Sequence, residues 1–207
     1  MDSNITFNGQ ALQDFFVYKI LKGKKYGTFL ELGSGHPIKR NNTYILEKNL
    51  QWKGVMVDVN SSFEQLYKVM RRTSYVIADA TTINYNKLLM NLSNTSNIDY
   101  LQIDLNAKNG MTLKALEVLN NVMNRYKFAT VTFAHDFFRR DKTGTREKSR
   151  EIFRIRGYVL LFPNVKFQGN SFEDWYVHPD LVDAELIKKL KTEESLEYTE
   201  IENRLRH

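Results

Sequence analysis

Short, nearly unbroken apolar runs alternate along this chain with segments whose hydrophobic residues recur every three or four positions. The first pattern marks buried strands, the second amphipathic helices. Strands are expected from runs beginning at Thr28, Gly54 and Tyr75, and at 98–105, 128–134, 158–162 and 175–178. Helices are expected at 9–22, 44–50, 62–72, 85–92 and 113–126. A charged tail over 183–207 keeps a helical pattern, with its last residues candidates for disorder. In 9–22, Leu12, Phe15, Phe16, Lys19 and Ile20 share helical spacing, which predicts a helix that packs on the sheet or covers the ligand site. No repeat, low-complexity tract or proline-rich linker breaks the alternation. The chain therefore reads as one α/β domain, a doubly wound, mostly parallel seven-stranded sheet with helices on both faces. Pro163 and Pro179 fall just past expected strands, where a missing amide hydrogen does least harm.

The sharpest break in the pattern is Thr28-Phe-Leu-Glu-Leu-Gly-Ser-Gly-His36, a buried strand that runs into glycines. Gly33 and Gly35 allow positive φ and leave the backbone open to a ligand. The third glycine of a dinucleotide fingerprint is replaced by Ile38, and no phosphate-cradling G-x-x-x-x-G-K-[ST] string occurs. A nucleoside ligand without a buried pyrophosphate is what remains. The second strand ends in Asp58, some 25 residues beyond Gly33, where a carboxylate can accept two ribose hydroxyls. The third run ends in Asp79, expected beside Asp58 at the carboxyl edge of the sheet. Asn41, Asn42 and Thr43 supply start chemistry for the first crossover helix. An acid at a strand end can equally be a helix cap or a solvated loop residue.

Composition narrows the classes further. The 207 residues suffice for one core. Cysteine is absent, which removes disulfides and thiolate chemistry. No segment approaches the roughly 20 apolar residues of a membrane span, and the start of the chain lacks a signal pattern, so a soluble, cytoplasmic protein is expected.

Four strings carry a family resemblance: Phe29-Leu-Glu-Leu-Gly-Ser-Gly35, Asn42-Thr43-Tyr44 with Leu46-Glu47, Trp52-Lys-Gly-Val-Met-Val-Asp58, and Asp99-Tyr-Leu-Gln-Ile-Asp104. Together they resemble the class I S-adenosylmethionine-dependent methyltransferases and, among them, the FkbM-like branch. A weaker echo, from Arg150 to Tyr158, extends the likeness over most of the chain. The branch generally has glutamate where Asp58 stands, and an acid where this chain has Asn106. The resemblance implies a Rossmann-like methyltransferase fold that binds S-adenosylmethionine. Glu31, Gly33, Ser34 and Gly35, with Thr43, would serve the methionine part, Asp58 with Val59 the ribose, and Asp79 with Ala80 the adenine.

Ligands of open parallel sheets bind outside the strand carboxyl ends. The fifth strand runs into His135 and Asp136 at that edge, and the fourth ends at Asp104. Methyl transfer from a sulfonium to a hydroxyl needs a nucleophilic oxygen, made so by a base such as His135 or by a divalent metal. Asp104 and Asp136 are candidate oxygen ligands for such a metal, and a structural histidine is the other reading of His135. Ser171-Phe-Glu-Asp-Trp-Tyr-Val-His-Pro-Asp180 gathers aromatics, acids and His178, as an acceptor pocket or as an edge strand packing the core.

Thirty basic against 24 acidic side chains give a net charge of +6, and eight basic residues crowd 139–156: Arg139, Arg140, Lys142, Arg146, Lys148, Arg150, Arg154 and Arg156. Arg150 and Arg154 share one helical face. Three readings follow: O-methylation of a small-molecule or glycan hydroxyl; methylation of RNA or another nucleic acid held on the basic face; and a non-catalytic binding module. The acidic residues interleaved with that face suit a solvated surface.

Overall fold

The computed structural model describes residues 5–92, 95–105, 109–139 and 143–207. Its centre is a seven-stranded sheet: β1 (Thr28–Leu32), β2 (Lys53–Asp58), β3 (Ser74–Ile77), β4 (Asn97–Ile103), β5 (Lys127–Ala134), β6 (Val159–Phe167) and β7 (Asn170–Val177). The order across the sheet is β3-β2-β1-β4-β5-β7-β6. The first five strands are parallel, and β7 runs antiparallel to both β5 and β6. The chain leaves β1 in one direction to build β2 and β3, then returns to β1's other side for β4. The ends of β1 and β4 thus frame the switch point where ligands of such sheets bind.

Helices α1 (Gln13–Ile20), α2 (Tyr44–Leu50), α3 (Glu64–Met70), α7 (Ala184–Leu190) and α8 (Tyr198–Arg206) accompany the core on one face. Helices α4 (Tyr85–Leu92), α5 (Met111–Asn120) and α6 (Thr145–Ile155) accompany the other. The strands alternate accordingly: Phe29, Met56, Tyr100 and Trp175 join the first apolar cluster, Leu30, Val55, Leu101 and Tyr176 the second. Helix α1 packs on the sheet. Phe16 meets Trp175 with ring centroids 4.8 Å apart, while Arg206 lies over the outer ring of Phe15.

Two expectations change. The end of the chain is ordered: Glu197 and Glu200 close a capping box, and Ile201 and Leu205 enter the core. Pro163 lies inside β6 rather than past it. It is tolerated there because β6 is an edge strand whose pairing with β7 shifts register between Phe162 and Val165.

Consecutive acids in β7 meet opposite environments. Glu173 faces α1, fully buried, accepting from Gln13 Nε2 (3.1 Å) and Trp175 Nε1 (2.6 Å). Burial first, then the negative charge of Asp104, pushes its carboxyl up to about 8. Asp174 faces α6 and accepts two bonds from Arg150, at 2.7 and 2.8 Å. Burial alone would raise it, but the Arg150 bonds and the His135 contact hold it well below the usual carboxylate range. Since Glu173 keeps its proton folded up to about pH 8 and loses it unfolded near 4.5, stability falls as pH rises through that window. Glu173→Gln is expected to flatten the dependence of unfolding free energy on pH between 5 and 8, by up to about 1.4 kcal/mol per pH unit. Thermal melts at several pH values check this, and an unaltered slope would contradict it.

Candidate active site

A cavity of about 390 Å³ opens at the switch point, within the range of small-ligand sites. Gly33 and Gly35 form its floor at the end of β1, Val57, Asp58 and Val59 one wall, Ala78, Asp79 and Ala80 another. Asp104, Leu105 and Met111 close the third side.

The glycines have different reasons. Gly33 has φ +84°, and a Cβ there would lie 1.9 Å from the Asp104 carbonyl oxygen, so its bareness lets β1 and β4 converge. Gly35 has φ +58° with no atom within 4 Å of a would-be Cβ, which leaves open space on the floor. The Gly35 turn is tied from both sides. Its N–H donates to Asp58 Oδ2 (2.7 Å), and its carbonyl accepts from the Tyr67 hydroxyl. Asp58 Oδ1 takes the Asn60 N–H (2.8 Å), so each carboxylate oxygen keeps a further acceptor position. Asp79 Oδ1 accepts from the Thr81 N–H and hydroxyl, both at 2.8 Å, and these bonds lower its carboxyl.

Glu31, Ser34 and Thr43 lie beneath the turn and do not line the cavity. Glu31 is fully buried; its Oε2 accepts from Thr43 Oγ1 (2.9 Å) and Asn41 Nδ2 (3.1 Å), while Oε1 accepts no bond from the described residues. Burial raises its carboxyl, against the pull of Arg71 and those two donors. Ser34 turns its hydroxyl to the carbonyls of Glu31 and Val57. Asn41, rather than Thr43, caps α2, its Oδ1 accepting the N–H of Thr43 and Tyr44. Sequence reasoning missed Arg71. Its buried guanidinium binds Glu47, Thr43, Asn41 and the Pro37 carbonyl and knits the loop after Gly35 to α2.

At the other side of the switch point, Asp104 is exposed at the cavity wall. Its carboxyl is pushed up to about 7, by desolvation first, then Asp136, with Arg139 opposing. Asp136 sits in the left-handed region at φ +46°, 3.5 Å from Arg139 Nε. His135 is buried and does not line the cavity; its Nδ1 accepts the Phe137 N–H (3.1 Å), and its Nε2 lies 3.4 Å from Asp174 Oδ1. Among the described residues no three His, Asp or Glu side chains gather as a metal site. Asn106 lies outside the described residues.

His178 is not brought to this edge. Because β7 is antiparallel, its end lies at the amino end of β5, where the His178 N–H bonds the Ala129 carbonyl. Trp175 and Tyr176 are buried in β7, an interior strand rather than an edge one. The basic face is largely engaged within the protein. Arg150 binds Asp174, Arg154 binds Glu151, Arg156 binds Asn120, and Arg146 binds Glu147 and Asn164 while stacking on Phe137. Arg140 and Lys142 lie outside the described residues.

No family model matches the chain, and no curated protein matches it by sequence. Solved structures match it by fold. A provisionally assigned rRNA methylase from Clostridium thermocellum aligns at 11% identity over 83% of this chain and 98% of its own, with a TM-score of 0.54. A protein of the duf574 family from Streptomyces avermitilis aligns at 13% identity over 81% of each chain, TM-score 0.52. An rRNA methylase from Streptococcus thermophilus aligns at 13% identity over 80% of this chain and 94% of its own, TM-score 0.50. The chain has a Rossmann-like methyltransferase fold. These likenesses are of architecture; the acceptors named for the neighbours are theirs.

Among the described residues, no helix is long and apolar enough to cross a membrane.

Proposed function

We propose that this chain is an S-adenosylmethionine-dependent methyltransferase of FkbM-like type that methylates a hydroxyl of a small molecule or glycan. The observation that carries the reading is the cavity at the β1/β4 switch point, lined by the Gly33 and Gly35 floor, the Asp58 carboxylate and the apolar side chains of Val59, Leu105 and Met111. The residues fit the cofactor. The space at Gly35 admits the methionine chain, Asp58 has acceptor positions for ribose hydroxyls, and Val59, Ala80, Leu105 and Met111 suit a flat adenine. Asp79 and the main chain beside Ala80 would meet its polar edge. Glu31, Ser34 and Thr43 act one layer below, holding the turn.

Bound S-adenosylmethionine would supply a methyl on a positively charged sulfur. The chain's own task is to hold the acceptor oxygen in line and take its proton. Asp104 suits that role, because a carboxyl at the cavity with a pKa near 7 balances availability against basicity at neutral pH. Asp104 would take the proton of the acceptor hydroxyl while the bound cofactor would supply the methyl to that oxygen, its sulfur keeping the electron pair of the broken S–C bond as S-adenosylhomocysteine. The small-molecule or glycan reading is preferred over nucleic acid because the α6 arginines are paired within the protein.

Asp58→Ala is expected to weaken S-adenosylhomocysteine binding by about 1–3 kcal/mol, from the loss of charge-assisted bonds and of the Gly35 tether. Calorimetry reads this directly, and an affinity equal to that of the unmodified chain would remove the ribose assignment.

A further inference from the structure

We infer that the amino edge of the sheet, opposite the switch point, carries a second binding site, for a small phosphate ester borne on a ring. The site lies beyond the methyl-transfer reading and does not depend on it. A cavity of about 440 Å³ opens there between the end of α2 and the starts of β2 and β3, a size suited to small ligands. Tyr26, Gln51, Trp52, Lys53 and Arg72 line it, together with Glu47 and Thr73.

Strand pairing brings two cations together in this cavity. Lys53 and Arg72 each stand two residues ahead of the paired positions Val55 and Ser74, so they occupy equivalent places at the starts of neighbouring parallel strands. Both are exposed, and neither side chain makes a hydrogen bond or ion pair with the described residues. Arg150 and Arg154 of α6, by contrast, are paired within the protein. The carboxylate of the lining, Glu47, is already committed: Oε2 accepts from Arg71 Nε (2.9 Å) and Oε1 from the Arg72 N–H (2.8 Å). Arg71 balances Glu47, which leaves the charges of Lys53 and Arg72 uncompensated. Thr73 Oγ1, in the same wall, is buried and has no partner of hydrogen-bond geometry among the described residues.

The backbone is bent to present an aromatic wall. Tyr26 and Gln51 have φ of +57° and +59°, a left-handed conformation that a bulky residue such as tyrosine adopts only where its surroundings hold it. They are held by the Tyr26 N–H on the Leu50 carbonyl (2.8 Å) and the Lys53 N–H on the Gly27 carbonyl (2.9 Å). Trp52 backs the turn. Its indole lies against Gly27, where a Cβ would come 2.4 Å from the ring, and its Nε1 donates to the Lys24 carbonyl (2.7 Å). Tyr26 is left 68% exposed on this fixed turn. An arginine fork beside a lysine point charge, both unpaired, matches the oxygens of a phosphate, and the tyrosine ring offers a face to a sugar or a base. Two cations in one cavity suit a small ester rather than a polynucleotide, whose backbone asks for a run of contacts.

The test titrates the nitrogen-15-labelled, cofactor-free protein with ribose 5-phosphate, adenosine 5′-monophosphate, inorganic phosphate and adenosine. At least one ester should shift the amide signals of Tyr26, Gln51, Lys53 and Arg72 more tightly than inorganic phosphate does, and adenosine should leave them in place. The tighter ester tells whether a sugar or a base rests on Tyr26. Lys53→Gln combined with Arg72→Gln should weaken ester binding by about tenfold or more, Tyr26→Ala should weaken the ester but not inorganic phosphate, and Asp58→Ala should change neither. Shifts confined to Gly33, Gly35 and Asp58, ester binding undiminished in the double variant, or inorganic phosphate as tight as both esters would overturn the proposal. The shifts are read on the unmodified protein without S-adenosylhomocysteine, so they decide the matter whether or not a variant folds or that nucleoside binds.

Discussion

Asp104→Asn is expected to lower the methyl-transfer rate by about 10²–10⁴-fold while leaving S-adenosylhomocysteine affinity close to that of the unmodified chain. The amide keeps the shape of the carboxyl but cannot accept the acceptor's proton. Because Asp104 is raised to about 7, the unmodified enzyme's rate should climb with pH through that region as the carboxyl ionises. Asp136→Asn, which removes the raising charge, should move the climb to lower pH. Single-turnover rates across pH 5–9 test both statements. A variant that retains full rate, or a rate flat through pH 7, would show that the proton goes elsewhere.

The second large effect is structural. Arg150→Ala should destabilise the fold by about 3–5 kcal/mol, because it leaves the buried Asp174 carboxylate without its cationic partner. Arg154→Ala, four residues along the same helix, removes an exposed pair with Glu151 and should leave the denaturation midpoint close to that of the unmodified chain. Denaturant titrations of the two variants separate them. Equal, small effects would contradict the role of Arg150 as the partner of the buried Asp174 carboxylate.

That contrast also shows what the letters of the chain can and cannot convey. From its spacing, α6 looks like a basic face, because Asp174, the partner of Arg150, is 24 residues away and meets it only when α6 packs on β7. The glycine turn, Asp58, Asp79 and Asp104 were legible because each closes an apolar run, and the ends of parallel strands gather at one edge. Glu31 was legible as important but not in its position. It shares a face with Phe29, beneath the turn, and its partners Asn41, Thr43 and Arg71 come from three separate places in the chain. Of the two readings of His178, the end of a strand holds and the acceptor site does not, because strand direction is a property of topology. The signal that decides between them was present: Gln168 and Gly169, both at positive φ, make a two-residue hairpin between Phe167 and Asn170. A hairpin there reverses β7, sends His178 to the far edge, and brings Glu173 to the near one.

Calorimetric titration of the purified chain with S-adenosylhomocysteine, with NAD as the control, tests the cofactor assignment most directly. Saturable one-to-one binding of S-adenosylhomocysteine, weakened in Asp58→Ala, is expected, and none of NAD. Absence of S-adenosylhomocysteine binding, or preference for NAD, would contradict it.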